Sequence, residues 1–498
     1  MKVLNGGPAL DIDEAVLFPF DEYSVPLRYR LQVGLVPANN PYKPHPKVLE
    51  QGGAQDPDGL GLHYYGTVIR VEDELRMWYG GMGDDGDERG MRLCYAVSKD
   101  GINWEKPDLG LVEFNGSKQN NLAHFPSQHN ARMNAILVLY EPEDPDPNRR
   151  FKLINEVNPF VVIAAFSPDG LHWTESAHNP ILKHNAVEPG GLMKFGDRYY
   201  LNGQGGNVGS KRALVTFMSY DFDHWTDAVT VGLRRDRPPY PQMAGPHAGE
   251  QVHLGASLWN RGNVVLGLYG MWHGESNDRA FISMDLGFVV SNDGYHFTEP
   301  VPDLQIISVH EIIGDVDATP SAPKAEQGQG FENVGDETLI WYWGWRAGYI
   351  CVARWLRDRL GYVEVVPDPK PRLLMPEDTH AMFWKEHVDL PIEATEPHAI
   401  SAPIQLGTAA ARVFINADGL SAQSSLKVEI LDEQFSPLPD YSGNDCMRLT
   451  ESGLRQPVAW RGKQALKGLE RPFRVKVSWT GTRPEDANLY AAYVTEQN

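Results

Sequence analysis

YAVSKDGINW, residues 95–104, is the stretch on which the fold turns. An apolar run ends in Ser, an Asp-Gly pair follows two steps later, and an aromatic stands four residues after the Asp. The carboxylate accepts nearby main-chain N–H groups and Gly tolerates positive φ, so a strand runs into a tight turn on which the aromatic packs back. The same text returns as AAFSPDGLHW (164–173), TFMSYDFDHW (216–225) and FVVSNDGYHF (288–297). These Asp residues read as turn formers rather than as catalytic groups.

Working outward, each turn is preceded by a strand pair: YYGTVIRVEDELRMWYGG, NAILVLYEPEDPDPNRRFKLINEV, GGLMKFGDRYYLNGQ and LGASLWNRGNVVLGLYGMW. A fifth copy, FENVGDETLIWYWGWRAGYICVARW, lacks the Ser-Asp turn and runs on to Val366. Five units of about four short strands predict an all-β chain whose residues 1–376 form a five-bladed β-propeller. Residues 377–398 read as a linker. From residue 399 to 498 apolar and polar positions alternate between turn signals, which predicts a small antiparallel β-sandwich packed as an accessory domain.

Composition limits the function. The chain has 498 residues, too many for one ordinary core unless it is built from repeats. Its 45 Lys and Arg against 66 Asp and Glu give a formal charge of −21, which repels nucleic acid. The start, MKVLNGGPALDIDE, has no apolar core of signal-peptide length, and no stretch approaches a membrane span, so no membrane partner and a cytoplasmic location are expected, or secretion if a signal peptide has been removed. Three distant cysteines, Cys94, Cys351 and Cys446, suggest neither a disulfide framework nor a cysteine metal site. No cofactor is implied, a structural calcium ion stays open, and association into a homo-oligomer is compatible with the sequence. Thirteen Trp and 20 Tyr supply flat faces for sugar rings.

With the repeats placed, RMWYGG (76–81), LCYAVSKDGINWEKPDLGLVEFNGSKQNNL (93–122), SPDGLHW and SLKVEILDE (425–433) carry a resemblance that spans nearly the whole chain. It resembles the five-bladed glycoside hydrolases of families 43 and 32, especially family-32-like proteins that pair a propeller with a sandwich. The resemblance implies an axial pocket with an Asp from the first blade, an Asp from the second and a Glu from the third, in a Glu-x-Pro-like stretch. Carboxylates suit that chemistry because one protonates the departing oxygen while another activates water or attacks the sugar carbon.

Counting back from the Gly196 turn places Glu188, followed by Pro189, at the position of the family's acid. In the first blade the count lands on Tyr64 and Tyr65 instead of an Asp, with Asp56 and Asp58 just upstream. In the second it meets Asn130, Arg132 and Asn134, which can hold hydroxyls but not transfer protons as acid or base. The fourth brings His247, Glu250, Gln251 and His253 together. By the period of two Glu250 and His253 face opposite sides, and Glu250 is expected to have a raised proton affinity. The two histidines are alternatively metal ligands, although no metal is expected. Glu326, before the Gly335 turn, matches Glu188 before its own. Trp272, Trp345 and Arg346 are expected to line a sugar subsite.

The leading expectation is a glycoside hydrolase, exo-acting on a furanoside-containing oligosaccharide. Glu188 is its proton donor, and Glu250, then Asp58, its second carboxylate, with Glu326 a further candidate. The alternatives are a carbohydrate-binding propeller without catalysis and a glycoside phosphorylase using Arg132 and Arg346 for phosphate.

Overall fold

The computed structural model describes residues 1–38, 45–86, 88–126, 130–158, 161–182, 187–205, 211–236, 245–309, 324–345, 347–366 and 396–497. The elements that lie wholly within the described residues are strands joined by turns and a few one-turn 3-10 helices, and none of the described helices is long and apolar enough to cross a membrane.

Two compact units divide the chain. One holds Met1–Asn5, Ala9–Gly34 and Gly361–Asn498; the other holds Gly6–Pro8 and Leu35–Leu360. This departs from the boundaries expected at 376 and 399, and strand pairing is the reason. Glu14–Leu17 pairs with Asn488–Gln497, and Leu27–Tyr29 pairs with His398–Ile400. The first 34 residues thus belong with the C-terminal strands, apart from a short excursion at residues 6–8. Most of the expected linker lies outside the described residues, and its last residue, His398, begins a strand. In this unit a six-stranded and a seven-stranded sheet share one core, to which Ile404, Val428, Ile430, Val475 and Val477 contribute from one sheet and Leu17, Val413, Ile415 and Val494 from the other.

The larger unit consists of five antiparallel four-stranded meanders. The first runs through Gly61–Val71, Glu74–Asp84, Arg89–Ser98 and Trp104–Glu105. The second uses Leu137–Tyr140, Phe151–Asn158, Val161–Ser167 and Thr174–Glu175. The third uses Val187–Phe195, Arg198–Gly205, Ala213–Ser219 and Thr230–Leu233. The fourth uses Gly249–Asn260, Val265–Gly274, Ile282–Ser291 and Gln305–Ile307. The fifth comprises Ala325–Val334, Glu337–Gly344 and Tyr349–Leu356, and its fourth strand is Lys47–Glu50, from the opposite end of the unit. The run to Val366 does not complete it: Gly361–Val365 joins the other unit's seven-stranded sheet.

The Ser-Asp turns are structural. Ser98 Oγ accepts the Gly101 N–H at 2.9 Å, and Asp100 accepts those of Ile102 and Asn103 at 2.9 and 2.8 Å. Equivalent bonds recur around Asp169, Asp221 and Asp293. Two turns also dock the neighbouring meander: Trp341 Nε1 donates to the Gly101 carbonyl and Trp78 Nε1 to that of Gly170. Apolar clusters fill the space between successive meanders, joining the fifth to the first, the first to the second and the second to the third.

The opening strands of the second, third and fourth meanders are the edges of their sheets, those of the first and fifth pair with each other over only two residues, and buried polar side chains bond main-chain groups left over. Thr67 Oγ1 bonds Ile136 and Val138 of the second meander. Asn202 bonds both main-chain groups of Ala256, and Gln329 accepts the Leu192 N–H. Gln329–Gly330 runs parallel to Thr67–Val68, joining the fifth meander to the first. All five opening strands line one cavity of about 360 Å³.

Candidate functional site

In four of the five opening strands the ladder breaks at one place: between His63 and Thr67, Pro189 and Gly191, His253 and Ala256, and Gln327 and Phe331. Such bulges re-aim side chains. Here they lie beside Tyr65, Glu188, His253 and Glu326. At the break between His253 and Ala256, Leu254 and Gly255 both take positive φ, +57° and +67°. A non-glycine residue there stores strain of the kind found at binding sites.

Glu326 is the centre of the cluster. Its carboxylate accepts the Tyr65 hydroxyl at 2.6 Å, and Tyr65 Oη lies 3.3 Å from His253 Nε2. His253 Nδ1 lies 2.9 Å from Arg212 Nη1 and 3.0 Å from Gln204 Oε1. A guanidinium only donates, so Nδ1 accepts, the ring proton rests on Nε2, and Gln204 Oε1 faces the Leu254 N–H at 3.3 Å. Gln204 Nε2 donates to Glu188 at 2.6 Å. The Arg212 guanidinium lies over the Trp272 ring, 3.9 Å from its centre. Four meanders thereby supply one cluster.

Burial raises the Glu326 pKa to about 7, and the negative charge of Glu188 adds to the rise, while the Tyr65 hydrogen bond and Lys324 oppose it. Burial, then the charges of Arg212, Arg279 and Lys324, hold the His253 ring well below its ordinary value and therefore neutral. Burial and the Glu326 charge push the Tyr65 phenol up. The cluster thus pairs a carboxyl that is protonated below about pH 7 with a neutral His253 and Tyr65, and Arg212 and Glu188 join them at its edge.

Aromatic rings flank Tyr65. His63 stands edge-on to Tyr65 and to Trp343, with ring centres 4.2 and 4.7 Å apart. His63 Nδ1 and Trp343 Nε1 are buried with no hydrogen-bond partner among the described residues. Buried polar groups are nearly always paired, so these two point to a bound molecule or water.

The other nominated residues lie elsewhere. Glu250 is bound by Arg235 at 2.7 Å and by His273 Nδ1 at 2.9 Å, and His273 reaches Asp285 at 3.3 Å. Burial is more than offset by those partners, so the Glu250 pKa is lowered, contrary to the raised value expected of an acid. Its placement opposite His253 is as the strand period predicts. Asp58 is buried in its loop, accepting Tyr79 Oη, Lys106 Nζ and the Gly52 N–H at 2.8, 2.6 and 3.0 Å, and makes no contact with the cluster. Asp58→Ala should therefore cost about 3 kcal/mol of stability in urea unfolding, by stranding buried partners, while turnover changes less than about twofold.

Asn130 lines a separate cleft with Arg92 and His124. Arg132 and Asn134 are exposed; the Asn134 side chain bonds Glu156 and its main chain bonds His63. His247 packs against Trp272, which donates to its carbonyl at 2.8 Å. Trp272 is fully buried beneath Arg212 and beside His253. Trp345 lies under Lys324, 4.8 Å from Nζ. Arg346 lies outside the described residues. Among the described residues no group of three or more His, Cys, Asp or Glu is arranged to hold a metal.

Gln204, Arg212 and His63 were not visible in the sequence. Gln204 is the ladder partner of Glu188, a register that only the strand pairing reveals. His63 lies two residues before Tyr65, on the same strand face, and that spacing was the available signal.

No protein-family model matches the chain, and no curated protein matches it. Among solved structures, a glycosyl hydrolase from Bacteroides ovatus is 14% identical, covering 66% of this chain and 94% of its own, with a TM-score of 0.41. A structure from work on the GH130 family of mannoside phosphorylases, which contains glycoside hydrolases that target β-1,2 mannosidic linkages in Candida mannan, is 13% identical over 64% of this chain and 94% of its own, TM-score 0.41. A further glycoside hydrolase is 10% identical over 90% of this chain and 100% of its own, TM-score 0.37. The functional reading therefore rests on the geometry of this chain.

Proposed function

We propose that the chain is a glycoside hydrolase whose site lies on the axis of a five-bladed β-propeller, the two-sheet unit being an accessory β-sandwich. The five meanders with one cavity lined by all their opening strands support the propeller. The observation that carries the activity is the pair of glutamates joined to one cluster, of which Glu326 keeps its proton to about pH 7. Glu326 is the general acid: it protonates the glycosidic oxygen as the bond to the sugar carbon breaks. Glu188, held by Gln204, supplies the second carboxylate, which activates water or attacks that carbon. This reverses the expected role of Glu188 and replaces Glu250 and Asp58 as its partner. The unpaired Trp343 and His63 nitrogens suit sugar hydroxyls, and the aromatic rings suit the apolar face of a sugar ring. An exo-acting enzyme on a furanoside-containing oligosaccharide is the narrower reading, drawn from the resemblance alone.

A panel of chromogenic furanosides and pyranosides, assayed for release of the leaving group, tests the proposal. Wild type should cleave at least one, and Glu188→Gln should lose at least about 100-fold in kcat/KM. Tyr65→Phe should retain activity and move the alkaline limb of the pH profile upward, because the Tyr65 hydrogen bond lowers the Glu326 pKa. Binding of a sugar with no cleavage anywhere in the panel would sink the enzymatic reading.

A further inference from the structure

The cations around the cluster are not explained by general acid catalysis. Arg212 is fixed by its Trp272 stacking and its 2.9 Å contact with His253, yet no ion pair with a carboxylate holds it among the described residues. The Glu188 charge reaches it only from farther away. Arg279, in the turn Arg279–Phe281, likewise has no ion-pair partner among the described residues. The charges of Arg279 and Lys324 act on both His253 and Glu326. On a chain of net charge −21, three cations bear on one site that contains two glutamates, one of them protonated below about pH 7. A half-buried guanidinium that is held in place without a carboxylate partner is a ready receptor for a planar or tetrahedral oxyanion.

We infer that the substrate glycoside carries an oxyanion, a carboxylate or a phosphate ester on the sugar, and that Arg212 with Arg279 receives it beside Trp272. This rests on the glycoside-hydrolase reading and names the substrate class for it. A neutral substrate would leave the Arg212 guanidinium unmatched in a half-buried wall. An anionic one replaces the water it loses with charge-assisted hydrogen bonds.

The test offers each chromogenic sugar in matched forms: neutral, uronate and sugar phosphate. Wild type should prefer one charged form over its neutral counterpart by at least about 30-fold in kcat/KM, and the form preferred identifies the oxyanion. Arg212→Gln should remove most of that preference, chiefly through KM. Arg279→Gln, at an exposed position where folding is not at risk, should remove part of it. Equal or better cleavage of the neutral forms overturns this inference and leaves the hydrolase reading standing. Cleavage that requires added inorganic phosphate and releases a sugar 1-phosphate also overturns it, by assigning the cations to a cosubstrate. Calorimetry with free uronic acids and sugar phosphates separates the two readings. Arg212-dependent binding without cleavage of any form overturns the hydrolase reading while supporting the anion site, and absence of both binding and cleavage overturns both.

Discussion

Glu326→Gln is expected to abolish turnover and, at pH 8, to make the protein more stable. The two effects share one cause. The carboxyl is fully buried, and its pKa rises from 4.5 to about 7 on folding. The folded state therefore binds this proton more tightly than the unfolded state does. The stabilising contribution of the protonated carboxyl is fully present below pH 4.5 and is lost as pH rises through about 7. Above that, ionising Glu326 in its buried site costs about 3 kcal/mol, at about 1.4 kcal/mol per pH unit. Glutamine keeps the shape and cannot ionise. Thermal melts of Glu326→Gln and wild type should nearly coincide at pH 5 and separate at pH 8, with the variant melting higher by the equivalent of roughly 2–3 kcal/mol. Coincident melts at both pH values would show that Glu326 ionises without penalty. In the same preparation kcat should fall by about 10³ or more, as for loss of a general acid. The kcat/KM of wild type should decline with unit slope as pH rises through about 7.

Gly190→Ala is expected to destabilise the larger unit by about 3 kcal/mol or more, read as a shift of its urea midpoint. A Cβ at Gly190 would stand 1.4 Å from the Leu254 carbonyl oxygen. That neighbour is main chain, in a bulge whose Leu254 already holds φ +57°, so no flexible side chain can give way. The strands would have to separate where Glu188 and His253 approach one another. If Gly190→Ala melts with wild type, the close approach of the third and fourth opening strands is wrong, and with it the geometry of the cluster.

Much of the fold was legible because its determinants are local. A Ser, an Asp and an aromatic within seven residues close their own turn, as the Ser98, Asp100 and Trp104 bonds do, so four repeats could be counted directly. The fifth was harder to read because its last strand is supplied by Lys47–Glu50, paired to Tyr349 and Ile350 some 300 residues away. The N-terminal strands carry no local sign of their unit for the same reason, since their partners include Thr495 and His398.

The site divides in the same way. Counting back from the glycine turns nominated Glu188 and Glu326, and the missing first Asp drew attention to Tyr65, because the opening strands have comparable lengths. Which glutamate keeps its proton was decided by surroundings that no local text encodes. Glu250 meets Arg235 and His273 and is driven to its charged form, whereas Glu326 meets Tyr65, a neutral His253 and little water. The sequence by itself determined the repeats, the turns and the acidic candidates, since each depends on residues a few positions apart. Only the tertiary structure decided how the fifth meander is completed, which glutamate keeps its proton, and that Gln204 and Arg212 join it, because burial and long-range strand register set both proton affinity and contact.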